Sequence, residues 1–297
     1  MDGIINVLKP PGMTSFDVVS HLRAITGIRK IGHAGTLDPM AAGVLPVCIG
    51  RAAKAVEFLT DKDKLYRAEL TLGITTDTQD ITGSILSRIT PDIDDDEIVG
   101  AVASFEGKYM QLPPMHSAIR IGGRKLYELA REGKVVERQK REVNIYSAKV
   151  LHISRENGAI KVLFDVSCSK GTYIRTLCAD VGEKLGCGGC MSFLLRLGAG
   201  PFSIDDAVTL EELYQRQQNG TLEEVVTGVD HVFSGLKAHK LDEALEKKFI
   251  NGMHVPFSDD GADKENIRVY GADGRFIALG TIAGTKSGKY LKVKKFF

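Results

Sequence analysis

Residues 32–46 read Gly32-His33-Ala34-Gly35-Thr36-Leu37-Asp38-Pro39-Met40-Ala41-Ala42-Gly43-Val44-Leu45-Pro46. A single carboxylate, Asp38, stands among three glycines with a proline directly behind it. Glycine admits backbone angles that other residues avoid. Pro39 fixes its own φ and steers Asp38 away from the helical region. The stretch therefore predicts a rigid loop that ends in an apolar strand over Val44–Ile49. An aspartate so placed either caps its own backbone in a turn or meets a partner in one fixed orientation. The local pattern alone leaves both open.

Outward from this loop, short apolar runs alternate with helix signals. Gly3 to Val7 reads as a strand that stops at Lys9-Pro10-Pro11-Gly12. Ser15 is placed to cap a helix through Thr26, with Phe16, Val19 and Leu22 on one face. Ala52 to Leu59 reads as a helix. Tyr66 to Leu72 alternates as a strand, with Ala68, Leu70 and Leu72 on one side and Arg67, Glu69 and Thr71 on the other. Asp92, Asp94, Asp95, Asp96 and Glu97 suit the start of a helix, where they complement the macrodipole. Val143–Ile153 and Ile160–Ser167 read as a hairpin around Glu156-Asn157-Gly158. Tyr173–Leu185 reads as a helix and Met191–Leu197 as a central strand. Strands and helices mix without a βαβ rhythm. The expected fold class is α+β, with a mixed, largely antiparallel central sheet flanked by helices.

Two segments differ from this body. Residues 114–141 hold eight basic residues (Arg120, Arg124, Lys125, Arg131, Lys134, Arg138, Lys140, Arg141) against Glu128, Glu132 and Glu137, a local charge of +5. Pro113-Pro114 opens the stretch, Gly122-Gly123 interrupts it, and a short helix is expected from Arg124 to Glu132. It reads as an insertion projecting from the sheet, on which the charge is either a solvated face or a polyanion grip. From Leu236 a second unit follows. It has a helix over Leu241–Ile250 and strands over Asn266–Tyr270, Arg275–Leu279 and Tyr290–Val293. Its tail carries Lys286, Lys289, Lys292, Lys294 and Lys295 without an acid, a composition that suits phosphate.

Bulk properties set the frame. A chain of 297 residues buries a sizeable core and divides into about two domains. Net charge is +1, which neither favours nor excludes a nucleic-acid partner, because one face can be basic while the rest is acidic. No secretory leader and no long apolar run is present, so a cytoplasmic protein is expected. Five cysteines, an odd number, fit a reducing compartment. Cys187-Gly188-Gly189-Cys190 has zinc-like spacing but no second pair, so buried thiols are expected and no metal. P-loop, dinucleotide and His-Glu-x-x-His motifs are missing. Chemistry without a cofactor is expected.

The opening stretch, written Gly-His-x-Gly-x-Leu-Asp-Pro-x-Ala-x-Gly-x-Leu-Pro, resembles the catalytic motif of the TruB-type bacterial tRNA pseudouridine-55 synthases. The resemblance recurs in order along residues 6–197. Asn6 to Gly12 is similar to the family's Lys-Pro-x-Gly motif. Asp63-Lys64-Leu65-Tyr66-Arg67 with Leu72-Gly73 is similar to its tyrosine motif, and Thr76-Asp77-Thr78-Gln79-Asp80 with Gly83 to a further block. Ser169 to Leu177 resembles its arginine motif, and Leu194 to Leu197 its last core block. The C-terminal unit, residues 236–297, more loosely resembles a small PUA-type RNA-binding domain, behind a catalytic domain over 1–235.

That resemblance implies a function and roles. Pseudouridine formation detaches uracil from its sugar through N1 and reattaches it through C5, with no net redox, hydrolysis or group transfer. It needs a nucleophile, a way to hold the loosened base and a group to take the C5 proton. Asp38 is implied as nucleophile, Arg175 as the cation that orients it and depresses its pKa, and Tyr66 as the residue that stacks on the base and handles the proton. His33, Lys9, Tyr173, Leu194, Arg196 and Lys125 are implied on the substrate-binding side, His33 stacking where a uridine has flipped out. Pro114-Met115-His116-Ser117-Ala118 departs from the family form, which has Tyr at His116. The implied partner is the T-arm of tRNA, bound by a monomer that needs no protein partner and no membrane. Two other readings stand beside this one: action on another RNA, and an RNA-binding or tRNA-folding chaperone without catalysis.

Overall fold

The computed structural model describes all residues except 157, 259, 260, 286 and 287. Asn157 of the expected hairpin turn and Lys286 of the basic tail thus lie outside the described residues. The chain opens with Gly3–Lys9 (β1), helix Ser15–Thr26 (α1), Ile31–His33 (β2) and Ala42–Ile49 (β3). A short helix Val56–Thr60 (α2) leads into Lys64–Leu72 (β4) and the ribbon Ile74–Thr76 (β5) and Ile85–Arg88 (β6). Then come Asp95–Ala103 (α3) and Gly107–Gln111 (β7). The basic insertion forms a minute hairpin, Arg120–Ile121 (β8) and Arg124–Lys125 (β9), and helix Leu126–Arg131 (α4). Two long strands, Arg141–Glu156 (β10) and Ala159–Cys168 (β11), precede helix Ile174–Lys184 (α5), Gly189–Ala199 (β12), Phe202–Ser203 (β13) and helix Leu210–Gln218 (α6).

These strands make one sheet in the order β1-β3-β12-β4-β11-β10-β7, with β2 on β3 and β13 on β12. Every pair is antiparallel except β3 with β12, joined in parallel through Leu195 opposite Ala42 and Arg196 opposite Gly43. The expected class, α+β with a mixed, largely antiparallel sheet, is what forms. The parallel seam brings the loop before β3 beside the strands of β12 and β4. α1 and α6 cover β1 and β3 through Val18, Val19, Leu22, Ile25 and Leu213. α5 and α3 cover the other half through Leu177, Val181, Ile98 and Val102 against Leu70, Val162 and Phe164. The chain after β13 returns to the sheet, since Val208 bridges to Val7 and Thr227 to Ile4.

The second unit has a separate core around Phe249, Val269, Ile282 and Leu291. Helix Glu243–Ile250 (α7) packs against a sheet of Ala238–Lys240 (β14), Val255–Pro256 (β15), Asn266–Tyr270 (β16), Phe276–Thr285 (β17) and Gly288–Phe296 (β18), in the order β14-β16-β17-β18-β15. It is tied to the body where Phe297 meets Phe58 and Phe233, and where Lys295 pairs with Glu57 at 2.8 Å.

Two local expectations are corrected. Thr14, not Ser15, caps α1, in a capping box with Asp17. Ser15 instead turns inward, and its Oγ accepts the Leu37 N–H at 2.9 Å. Phe16 does not join the apolar face; it is 60% exposed, with the Arg23 guanidinium 5.6 Å above its ring.

Candidate active site

The loop between β2 and β3 is held by backbone contacts from three elements. The Gly12 N–H donates to Pro39 O at 2.8 Å. The Lys9 ammonium donates to the carbonyls of Pro10 (2.8 Å), Pro39 (3.3 Å) and Ala41 (2.7 Å). Arg196 on β12 donates to Gly35 O at 3.1 Å and Val44 O at 2.6 Å. Leu37 is buried in the core with Tyr66 and Leu194. Leu37 is plugged inward and the turn is closed by Ala41 N–H on Asp38 O at 3.0 Å, with Asp38 half-buried between the exposed Thr36 and Pro39. The turn and the fixed orientation, alternatives in the sequence, are one structure.

Asp38 meets Arg175, the second residue of α5. Nε lies 2.9 Å from Oδ2 and one terminal nitrogen 3.3 Å from Oδ1, a bidentate pair. The Arg175 side chain is 6% exposed and that of Asp38 34%, so the cation is inside and the carboxylate at the opening. Arg175 also donates to Thr78 O at 3.1 Å and His116 O at 2.8 Å, and lies 3.8 Å from the Asp80 carboxylate. Two carboxylates thus share one guanidinium. The turn presenting Thr78 and Asp80 passes through Gln79 at φ 64°, uncommon for a residue with a Cβ. Gln79 is kept there by Thr176 Oγ1, which donates to its side chain at 2.8 Å, and by the Met191 N–H on its carbonyl.

The expected depression of the Asp38 pKa is corrected. Burial pushes this carboxyl above its ordinary value; Arg175 opposes that and Asp80 reinforces it. The guanidinium orients the carboxylate more than it acidifies it. Burial likewise raises the Tyr66 phenol, with Arg196 pulling the other way. His33, at the end of β2 and not in the loop proper, is half-buried, and burial with nearby Arg196 holds its imidazole below the ordinary range. A neutral ring at neutral pH follows.

Two implied substrate contacts are corrected by their burial. Lys9 is 0% and Arg196 1% exposed, with donors given to backbone carbonyls, so both hold the loop and do not line the opening. Lys64, 8% exposed, is a third buried cation nearby; its ammonium donates to Thr60 O at 2.6 Å and Lys62 O at 2.5 Å, and burial lowers it to about 8. Lys9 is lowered to about 8 for the same reason. Tyr66 and Leu194 form the floor, both largely buried. Tyr173 precedes α5 and is half-buried; Gln111 clamps its backbone, accepting its N–H at 2.8 Å and donating to its carbonyl at 3.0 Å. Lys125 stands on the insertion, its ammonium 5.3 Å above the Tyr127 ring.

Asp80, Gln111 and the His116 carbonyl were not expected at the site. The Thr76–Asp80 block signalled the first; nothing local signals the other two. The insertion reaches Arg175 through the His116 backbone, which makes the change of side chain at that position immaterial to this contact. Arg120, Lys140 and Arg141 are exposed, and among the described residues no carboxylate stands at ion-pair distance from them. The five cysteines are buried, unpaired thiols.

A half-buried carboxylate in fixed orientation, a buried cation behind it and a phenol on the floor can attack an electrophilic carbon and exchange a proton. Residues 23–174 match the TruB family pseudouridylate synthase N-terminal domain, and residues 175–234 the tRNA pseudouridylate synthase B C-terminal domain. The tRNA pseudouridine synthase B of Alkaliphilus oremlandii is 53% identical over 86% of this chain and 83% of its own. That of Clostridioides difficile is 42% identical over the full length of both. Among solved structures, a chain of a Cbf5–Nop10–Gar1 complex superposes with a TM-score of 0.74 at 26% identity, covering 99% of this chain and 84% of its own. With its Asp38 loop, its sheet and matches spanning both family domains, the chain belongs to the TruB family of pseudouridine synthases.

Proposed function

We propose that this protein is a tRNA pseudouridine synthase, an isomerase that converts uridine 55 in the T-loop of tRNA to pseudouridine, with Asp38 as nucleophile. The observation that carries the reading is the bidentate Asp38–Arg175 pair, with the arginine buried and the carboxylate at the opening. The loop is pinned on its backbone, so the carboxylate meets the substrate without reorganising, which is where oriented catalysis gains most. A uridine in a folded T-loop is out of reach until it flips, at a cost of a few kcal/mol. The floor of Tyr66 and Leu194 receives the flipped base, Tyr173 walls it, and neutral His33 stacks on the RNA left behind. The exposed cations of residues 114–141, with Lys125, hold the RNA backbone, while residues 236–297 act as a PUA-like RNA-binding domain attached to a catalytic domain of residues 1–235. The protein works as a monomer in the cytoplasm, with no cofactor, metal or partner protein.

A synthetic T-arm stem-loop incubated with the protein alone tests this. Pseudouridine at the T-loop uridine is the expected product. No conversion, or conversion only after a guide RNA or accessory protein is added, overturns it.

A further inference from the structure

Arg196 heads the fully buried side chains by volume, at 1% exposed. Buried cations are ordinarily paired with carboxylates; among the described residues none lies at ion-pair distance from this one. Its bonds to Val44 O and Gly35 O hold the loop. A different group stands across the strand from it. Arg196 on β12 stands directly opposite Tyr66 on β4 in the antiparallel register. Directly opposed residues share one face of the sheet, with Cβ atoms about 5 Å apart. Of the charged groups that act on the Tyr66 phenol, Arg196 pulls its pKa down, while Asp38 from the loop and Cys168 from β11 push it up. Gly35 lies at φ +88°, where a side chain is rarely accommodated, and its Cα side abuts the Arg196 fork at ordinary contact distance.

A purely structural arginine would need only the two carbonyls. We propose that Arg196 is the positioning residue for Tyr66: it fixes the phenol oxygen beside the Asp38 loop and supplies the counter-charge that lets this buried phenol give up and accept a proton during catalysis. The proposal rests on the reading of the site as a pseudouridine synthase. After C5 has joined the sugar, the C5–H bond breaks and its proton passes to the ionised Tyr66 oxygen. The freed electron pair becomes the C5=C6 double bond, the N1=C6 pair moves onto N1, N1 takes a proton from water, and the hydroxide left behind takes the proton back from the Tyr66 phenol. A buried phenolate needs a cation beside it, and Arg196 stands directly across the strand from Tyr66. The same guanidinium touches Gly35 O, so it couples the proton acceptor to the loop that carries the nucleophile.

The test places difluorotyrosine, a more acidic phenol, at position 66 of the full chain and follows its ionisation by fluorine NMR without RNA. Arg196→Gln is expected to move the titration up by about one pH unit, a tenfold loss of phenolate at fixed pH. Arg196→Lys, which keeps the charge without the fork, is expected to move it less in the same direction. With the natural tyrosine, kcat of Arg196→Gln on the stem-loop falls at neutral pH and recovers as pH rises, while KM stays within about threefold of wild type. An unmoved titration in both variants, or a kcat loss equal at every pH, overturns the proposal. If Arg196→Gln does not fold, an unmoved titration in Arg196→Lys overturns it alone. The titration needs no turnover, so it is read whether or not the protein modifies RNA.

Discussion

Replacing Gly43 by alanine perturbs the seam on which the site depends. Gly43 lies at φ +114°, and an ideal Cβ there would stand 2.2 Å from Arg196 O, 2.6 Å from Arg196 N and 2.9 Å from Arg196 C. All three are backbone atoms of the facing strand, so no side-chain rotation relieves the overlap. The backbone angle alone costs about 1–2 kcal/mol for a residue with a Cβ, and overpacking adds about 1–3 kcal/mol. Gly12 is the control: its φ is +86°, but nothing lies within 4 Å of an added Cβ. Gly12→Ala therefore carries the first cost without the second. Urea unfolding should place Gly43→Ala below Gly12→Ala by about 1 M in midpoint, from an overpacking cost of about 2 kcal/mol over a denaturant slope of about 2 kcal/mol per molar. The same strain parts β3 from β12 and shifts Asp38 relative to Tyr66. A displacement near 1 Å costs about a hundredfold in rate, so Gly43→Ala that still folds should lose kcat while Gly12→Ala retains most of it. Coincident midpoints and equal kcat for the two variants would refute the claim that backbone contact across this seam sets the site.

Other expectations follow from the same geometry. Arg175→Lys cannot bridge both Asp38 oxygens while also reaching Thr78 O and His116 O, so kcat should fall about a hundredfold or more, with stem-loop affinity in a filter-binding assay little changed; unaltered kcat contradicts this. Asp38 must be ionised to act and burial raises its pKa, so the acid limb of kcat/KM under single-turnover conditions should lie above the ordinary value of 3.8; a limb at or below it contradicts the reading. Lys64 is lowered by burial to about 8, against about 10.4 unfolded. The unfolded chain binds more protons between those values, so this group's contribution to stability is complete above the upper value and is lost as pH falls to the lower. Wild type should therefore gain stability relative to Lys64→Met as pH rises from about 8 to about 10.4, read by urea unfolding at each pH; a constant difference contradicts it.

Much of this was legible in the chain. Alternation in Tyr66–Leu72 and the apolar runs at Val44–Ile49 and Met191–Leu197 marked the central strands: Val44–Ile49 is buried throughout, and Tyr66, Ala68, Leu70 and Leu72 share one buried face. Pro39 and the glycines marked the Asp38 loop. What was not legible came from contacts distant in sequence. The burial of Lys9 and Arg196 depends on carbonyls of the loop, up to 161 positions away for Arg196 and Gly35, and a basic residue in a conserved-looking motif reads equally as a substrate contact. The sign of the Asp38 shift depends on how deep the carboxyl sits, which no local pattern reports. Thr14 took the cap from Ser15 because Ser15 had a better partner in Leu37, on a loop still to come in the chain.

The central claim is that Asp38 performs the chemistry and does not merely hold RNA. Single-turnover conversion of the T-arm stem-loop by Asp38→Asn, with binding measured on the same preparation, tests it most directly. The amide keeps the shape but cannot act as a nucleophilic carboxylate, so the variant is expected to bind RNA within about tenfold of wild-type affinity (about 1.4 kcal/mol) and to form no pseudouridine. Pseudouridine produced by Asp38→Asn at the wild-type rate would contradict it.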